Sequence, residues 1–227
     1  MNLLRSEMLI GKENIKKIEN AKVLLAGLGG VGGMALEMIV RCGIKNITII
    51  DYDKFEESNI NRQILCTKKS IGKNKVDEAE KRIKKINPSC KVIKYNEKID
   101  NVFLSNNTFD ADYIIDAIDD VKAKVELIKY AIKNNIKIIP CLGTGNKLNP
   151  SMLKITNIWE TSYDPLAKKL RSVLRKERIN YKLPVVSSEE KGVVNNIKEI
   201  PSLALVPNAA GIMLASYVIN DIIKKDD

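Results

Sequence analysis

An α/β fold built on a doubly wound, mainly parallel sheet, with a C-terminal strand and helix extension, follows from three observations. Short apolar runs alternate with amphipathic helical stretches over residues 1–150. Those runs lack polar alternation, as strands covered on both faces do. The first of them opens directly into a glycine-rich turn and then a helix. At 227 residues the chain is about one and a half typical domain lengths. It reads as one domain, with a nucleotide-binding core over 1–150 and a substrate-side extension over 151–227.

Lys22–Ala26 (KVLLA) is the first buried strand, leading into Gly27-Leu28-Gly29-Gly30-Val31-Gly32 and a helix through about Cys42. Asn46–Ile50 (NITII) is the second, ending on Asp51-Tyr52-Asp53. Residues 71–86 carry the helical period and are stopped by Asn87-Pro88. Strands are expected at Lys91–Tyr95, 112–116 and Lys137–Pro140, with a helix over 122–133 between the last two. After Gly143-Thr144-Gly145 the pitch changes. Residues 151–157 read as a strand, and Asp164 before Pro165 predicts a helix start: an N-cap acid, then proline at the first helical position. Leu166, Leu170, Val173 and Leu174 share one face of that helix. Lys168, Lys169, Arg171, Arg175, Lys176 and Arg178 occupy the others. Residues 181–201 read as loop-rich, and a terminal helix is expected over 208–224.

Composition restricts the chemistry. There are 38 Lys+Arg, 28 Asp+Glu and no histidine, for a net charge of +10. Without imidazole, Ser-His-Asp and Cys-His pairs, His-ligated metals and a histidine proton shuttle are excluded. The surplus charge suggests a polyanionic partner, though a simply lysine-rich soluble protein has the same balance. Cys42, Cys66, Cys90 and Cys141 form no C-x-x-C pair, which argues against a zinc knuckle and a disulfide scaffold. The charged N-terminus is no signal peptide. Residues 200–220 carry no charge but are broken by Pro201 and Pro207. They read as a buried helix rather than a membrane span, so the expected location is the cytosol, with no membrane partner.

The glycine turn follows a strand and opens a helix, the context in which backbone amides hold a nucleotide phosphate. An acid is expected about 20 positions on to bind ribose hydroxyls, and Asp51 and Asp53 stand there. This much fits NAD as well as ATP. The next stretch separates them: Asn59, Arg62 and Gln63, then Lys75, add an amide pair, a guanidinium and an ammonium. A triphosphate needs such cations. Asp119, just past the fourth strand, stands at the carboxyl edge of the sheet, where it can hold Mg²⁺.

In order, G-x-G-G-x-G, D-x-D, N-x-N-R-Q, G-x-x-K and D-A-x-D resemble the ubiquitin-activating-like adenylating enzymes over nearly the whole chain. The resemblance implies a Rossmann-like ATP-binding fold in which Asp53 binds ribose, Asn59, Arg62 and Lys75 contact the triphosphate, and Asp119 binds Mg²⁺. It also implies a homodimer in which Arg5, in RSEMLIG, reaches the partner's site as an arginine finger. Carrier-protein adenylyltransferases of this family usually have two C-x-x-C pairs, absent here, and thioester-forming members need a cysteine beyond Cys141. The opening RSEMLIG, the DPLAKKLR run from Asp164, Val185–Glu189 (VVSSE) and Val206-Pro207 through Gly211 instead resemble the tRNA threonylcarbamoyladenosine dehydratase branch. That resemblance implies ATP-dependent adenylation and cyclisation of a threonylcarbamoyl carboxylate on tRNA, with a sulfur-transfer protein as a further partner. The cations after Asp164 then read either as a tRNA-binding strip or as a solvated helix face. Three alternatives stand beside this: an adenylyltransferase for a small ubiquitin-like carrier, a nucleotide-binding module without turnover, and an NAD-dependent dehydrogenase.

Overall fold

The computed structural model describes residues 1–194 and 199–224. Helices α1 (Leu4–Ile10) and α2 (Lys12–Asn20), jointed at Gly11, precede the sheet. Strands β1 (Lys22–Ala26), β2 (Asn46–Ile50), β3 (Lys91–Tyr95), β4 (Tyr113–Asp116) and β5 (Lys137–Pro140) pair in the order β3-β2-β1-β4-β5, all parallel. This is the α/β doubly wound sheet that the alternation predicts. Successive strand residues face opposite ways, so the strands feed two cores. Val23, Leu25, Ile47 and Ile49 pack toward α3 (Gly30–Cys42), α4 (Lys75–Ile86) and α8 (Leu205–Ile223). Leu24, Ala26, Ile50 and Ile114 pack toward α5 (Asn101–Asn106), α6 (Val121–Lys133) and α7 (Pro165–Lys176). The chain leaves β1 for β2 on one side and later returns to place β4 on the other, so a crevice opens between the carboxyl ends of β1 and β4.

Three boundaries differ from the sequence reading, each for a local reason. Residues 71–74 are not helical: Gly72 takes φ +79, and Phe55 N donates to Lys73 O at 2.9 Å, folding this stretch back beside the end of β2. Lys75 thereby becomes the first residue of α4. The stretch read as loop-rich contains β7 (Pro184–Ser188), which pairs antiparallel with β6 (Leu153–Asn157). Its partner lies 30 residues upstream, beyond any local pattern, and its proline sits at the strand's first position, where a missing N–H is tolerated. Residues 195–198 of that stretch lie outside the described residues. Helix α8 begins at Leu205, with Pro207 absorbed in the first turn, where no intrahelical N–H bond is lost. By length and composition α8 is apolar enough to cross a bilayer, yet Val206, Ala210, Leu214 and Val218 are buried in the core beside α3. The β6–β7 ribbon is tied to β5 by Leu142 N donating to Val186 O at 2.9 Å.

Helices α3 and α4 are clasped through one carboxylate. Glu37 is 4% exposed and accepts from Arg41 Nε at 2.8 Å, Arg82 Nε at 2.8 Å and Arg82 Nη2 at 2.7 Å. Burial alone would raise its pKa, but the two guanidiniums outweigh burial and hold it below the ordinary carboxylate value. Its stabilisation is therefore present above the unfolded-state pKa and lost as pH falls through the folded one. Glu37→Gln is expected to lower the unfolding free energy by about 1–3 kcal/mol at neutral pH, short of a fully buried pair because both arginines are half exposed. Urea denaturation of the two proteins at pH 7 and again at pH 3 checks this. The gap should narrow on acidification.

Candidate active site

The crevice is a cleft of about 430 Å³, and its floor is the turn from β1 into α3. Gly27 takes φ +87, and a Cβ there would meet Ala117 O at 2.7 Å. A Cβ on Gly32 would meet Gly27 O at 1.8 Å. These two glycines let the start of α3 sit against the ends of β1 and β4. Gly27, Gly29 and Gly30 line the cleft, whereas Gly32 lies behind it in the packing. The predicted phosphate loop is thus divided between contact and support.

The two acids after β2 divide in the same way. Asp51 is buried, and its carboxylate accepts from Leu28 N at 2.6 Å and Asp53 N at 2.8 Å. Burial raises its pKa, only partly opposed by Lys75 with Nζ at 3.9 Å. Asp51 is a brace for the glycine turn. Asp53 keeps a half-exposed side chain on the cleft and accepts from Lys75 Nζ at 2.8 Å. The ammonium of Lys75 is itself buried at the first turn of α4, its charge directed into the cleft.

Asn59 ends a short helical turn over Glu57–Asn59, Arg62 and Gln63 follow with their N–H groups donating to Asn59 O at 3.2 and 2.9 Å, and all three reach the cleft. Asn59 Oδ1 accepts from Glu56 N at 3.2 Å, which fixes the turn. Arg62 Nη1 donates to Ser58 O at 2.8 Å and Asn61 Oδ1 at 2.9 Å. Gln63 is buried with Oε1 unpaired, and a buried acceptor of this kind calls for a donor from outside the protein.

Across the cleft, the turn after β4 carries three acids with three fates. Asp116 is fully buried and accepts from Lys124 Nζ at 2.9 Å; burial pushes its pKa up despite that pairing. Asp120 caps α6, accepting from Ala123 N at 2.8 Å. Asp119 alone is exposed in the cleft without such a duty. Among the described residues no group of three or more acidic or thiol side chains gathers to enclose a metal. One carboxylate suits Mg²⁺ that takes its remaining ligands from nucleotide oxygens and water.

One expectation concerns a partner protomer, and another is not met. Arg5 is exposed on α1 and does not line the cleft. Arg171 is not part of an outward basic face: its Nη1 donates to Thr161 O at 3.1 Å and Ile158 O at 3.4 Å. Lys168, Lys169, Lys176 and Arg178 remain exposed. Cys141 is buried, which pushes its thiol up to about 12, so it is not a nucleophile at neutral pH. Sequence reasoning missed the Asp116–Lys124 pair. The one hint was a lysine flanked by Ala123, Val125, Leu127 and Ile128 on the apolar side of α6.

The chain is similar to known proteins over nearly its full length. The ThiF family model matches residues 3–226. A tRNA threonylcarbamoyladenosine dehydratase of Bacillus subtilis is 34% identical over 97% of this chain and 94% of that protein. The crystal structure of Escherichia coli tRNA N6-threonylcarbamoyladenosine dehydratase in complex with ATP superposes with a TM-score of 0.92 at 28% identity, covering 97% of this chain and 93% of that one. The adenylyltransferase and sulfurtransferase UBA4 of Saccharomyces cerevisiae is 32% identical over 63% of this chain and 32% of its own length.

The division between brace and rim is testable. Asp51→Ala leaves two backbone N–H groups without their acceptor and is expected to cost about 2–4 kcal/mol of stability. Asp53→Asn, which keeps an oxygen for the buried Lys75 ammonium while Asp51 stays nearby, should cost less than about 1.5 kcal/mol. Urea midpoints of the two variants, measured without ligand, decide the matter.

Proposed function

The chain belongs to the ThiF family, and on that premise we propose that it is an ATP-dependent tRNA threonylcarbamoyladenosine dehydratase. One observation carries the reading: Arg62, Lys75 and Asp119, from three separate segments, converge on the mouth of the glycine turn. That charge set suits a Mg·triphosphate. The likeness to dehydratases along nearly the full chain favours this branch over carrier-protein activation, for which the likeness is shorter.

The reaction needs no histidine. The threonylcarbamoyl carboxylate, already ionised at neutral pH, attacks the α-phosphorus of ATP and displaces pyrophosphate. The resulting acyl-adenylate is attacked by the group's own carbamoyl, which closes a five-membered ring and expels AMP. The net change to the nucleoside is loss of one water. Ring closure is intramolecular, where effective molarities reach about 10⁵–10⁸ M, so positioning supplies much of the acceleration. The glycine turn and Asp53 orient the nucleotide, and Arg62 and Lys75 stabilise charge developing on phosphate. Asp119 would hold Mg²⁺, which when bound would supply screening of phosphate charge. Arg5 acts from the partner of a homodimer, since it lies outside the cleft of its own protomer. The working location is the cytosol.

Incubation with threonylcarbamoylated tRNA and Mg·ATP should remove the mass of one water from the modified nucleoside by mass spectrometry, with release of AMP and pyrophosphate. No mass change, where a Gly-Gly-ended protein drives pyrophosphate exchange, would replace this reading with the carrier-protein one. Transfer of Arg5 across a dimer has its own check. Arg5→Ala and Asp119→Ala should each be nearly inactive alone. An equal mixture, after subunit exchange, should recover about a quarter of the parental rate, because half the dimers then hold one intact site.

A further inference from the structure

Among the described residues, four that are not glycine take a positive φ: Asn135, Asn146, Tyr163 and Arg178. Asparagine accepts this conformation through its short polar side chain, and Arg178 follows the end of α7, where left-handed residues commonly terminate helices. Tyr163, at φ +53, has neither reason. It is bulky, it precedes the cap of α7, and it is 58% exposed. An aromatic ring held in solvent at an unfavourable backbone position contributes little to a core and points to a ligand.

It stands beside a segment that borders the cleft. The next residue, Asp164, accepts from Gly143 N at 2.8 Å, and Thr144 after it lines the cleft. The ammonium of Lys191 lies 5.0 Å from the Tyr163 ring centroid, over one face. Lys191 is held in place through its neighbour: Lys147 Nζ donates to Glu190 O at 3.1 Å, and the Glu190 carboxylate accepts from Leu148 N and Asn149 N, both at 2.9 Å. Glu189 is paired with Lys154. The nearby carboxylates in sequence are thus engaged, and Lys191 keeps its charge for the ring and for whatever settles beside it. One turn along α7, Lys168 and Lys169 are exposed.

The substrate's chemistry says what settles there, and this step rests on the dehydratase reading. The substituent is on N6, on the edge by which adenine pairs, and a bulky charged group there disfavours pairing, so an unpaired nucleotide is the substrate this reading takes. To bring its carboxylate to a nucleotide inside the cleft, it must be drawn out of its loop, which uncovers the face of a neighbouring base. Proteins that read such loops stack uncovered bases on aromatic rings. We propose that Tyr163, backed by Lys191, is the stacking platform for a base flanking the modified adenosine, and that Lys168 and Lys169 follow the adjoining phosphates.

Dissociation constants for threonylcarbamoylated tRNA, by fluorescence anisotropy at fixed salt, test this alongside the constant for ATP. Tyr163→Ala should weaken tRNA binding by about 5- to 100-fold, the range for one base–aromatic stack. Tyr163→Phe should stay within about twofold, since the ring is kept. Tyr163→Gly should lose tRNA affinity as the alanine variant does while melting no earlier than the parent, because glycine accepts the positive φ. ATP affinity should be unchanged in all three. In turnover, Tyr163→Ala should raise KM for tRNA and leave kcat at saturation. Parental tRNA affinity in Tyr163→Ala, or equal losses in the phenylalanine and alanine variants, overturns the platform alone if the parent still dehydrates the tRNA. A parent that neither binds nor dehydrates it overturns the dehydratase reading, and the platform with it.

Discussion

The carboxylate of Asp51 joins the end of β2 to the turn that follows β1, and the remaining geometry of the cleft is referred to that junction. One oxygen fixes Leu28 N in the middle of the glycine turn, and the other fixes Asp53 N two residues on. With the turn held, the glycines bring the start of α3 against the end of β4, and the acids of the next turn face Asp53 across the opening. Lys75 then completes the inner wall, reaching Asp53 and lying near Asp51. A buried carboxylate is an expensive way to hold a loop. It is sustained here by two backbone donors and an adjacent ammonium.

The absence of histidine acquires meaning against this arrangement. The charged side chains on the cleft are lysines, Arg62 and carboxylates, so the site does not depend on an imidazole titrating near neutrality. Asp53 and Lys75 satisfy one another, which keeps the buried ammonium compensated. Arg62 is parked on Ser58 O and Asn61 in the same manner. Chemistry of this kind relies on placement and field rather than proton transfer, and the fold supplies both from rigid strand ends.

The sheet was legible in the sequence because its signals are local. KVLLA and NITII announce buried parallel strands, and the glycine turn between strand and helix announces the phosphate site. That Asp53, Asn59, Arg62, Lys75 and Asp119 would gather on one cleft was legible in part for the same reason, since Asp53 and Asp119 follow strand ends and Lys75 opens a helix. What escaped depends on distant partners. The strand β7 pairs with residues 30 positions away, and Lys124 meets Asp116 only once β4 and α6 have packed. Arg171 looked like an outward cation until Thr161 and Ile158 closed around it. Asp51 and Asp53, two residues apart and chemically alike, were indistinguishable until one was buried.

The long α8 covers α3, the helix that begins at the glycine turn. In sequence these two partners are separated by most of the chain, so the apolar face of α3 leaves the ribosome long before its cover exists. At about 5–20 residues per second, the interval is roughly ten to thirty seconds. During synthesis, strands β1 to β5 can meet, but the layer over α3 stays open to water and to other nascent chains. The glycine turn at the start of α3 therefore gains its full packing only when translation has delivered α8, and a chain cut short before Leu205 would leave that turn without the layer behind it.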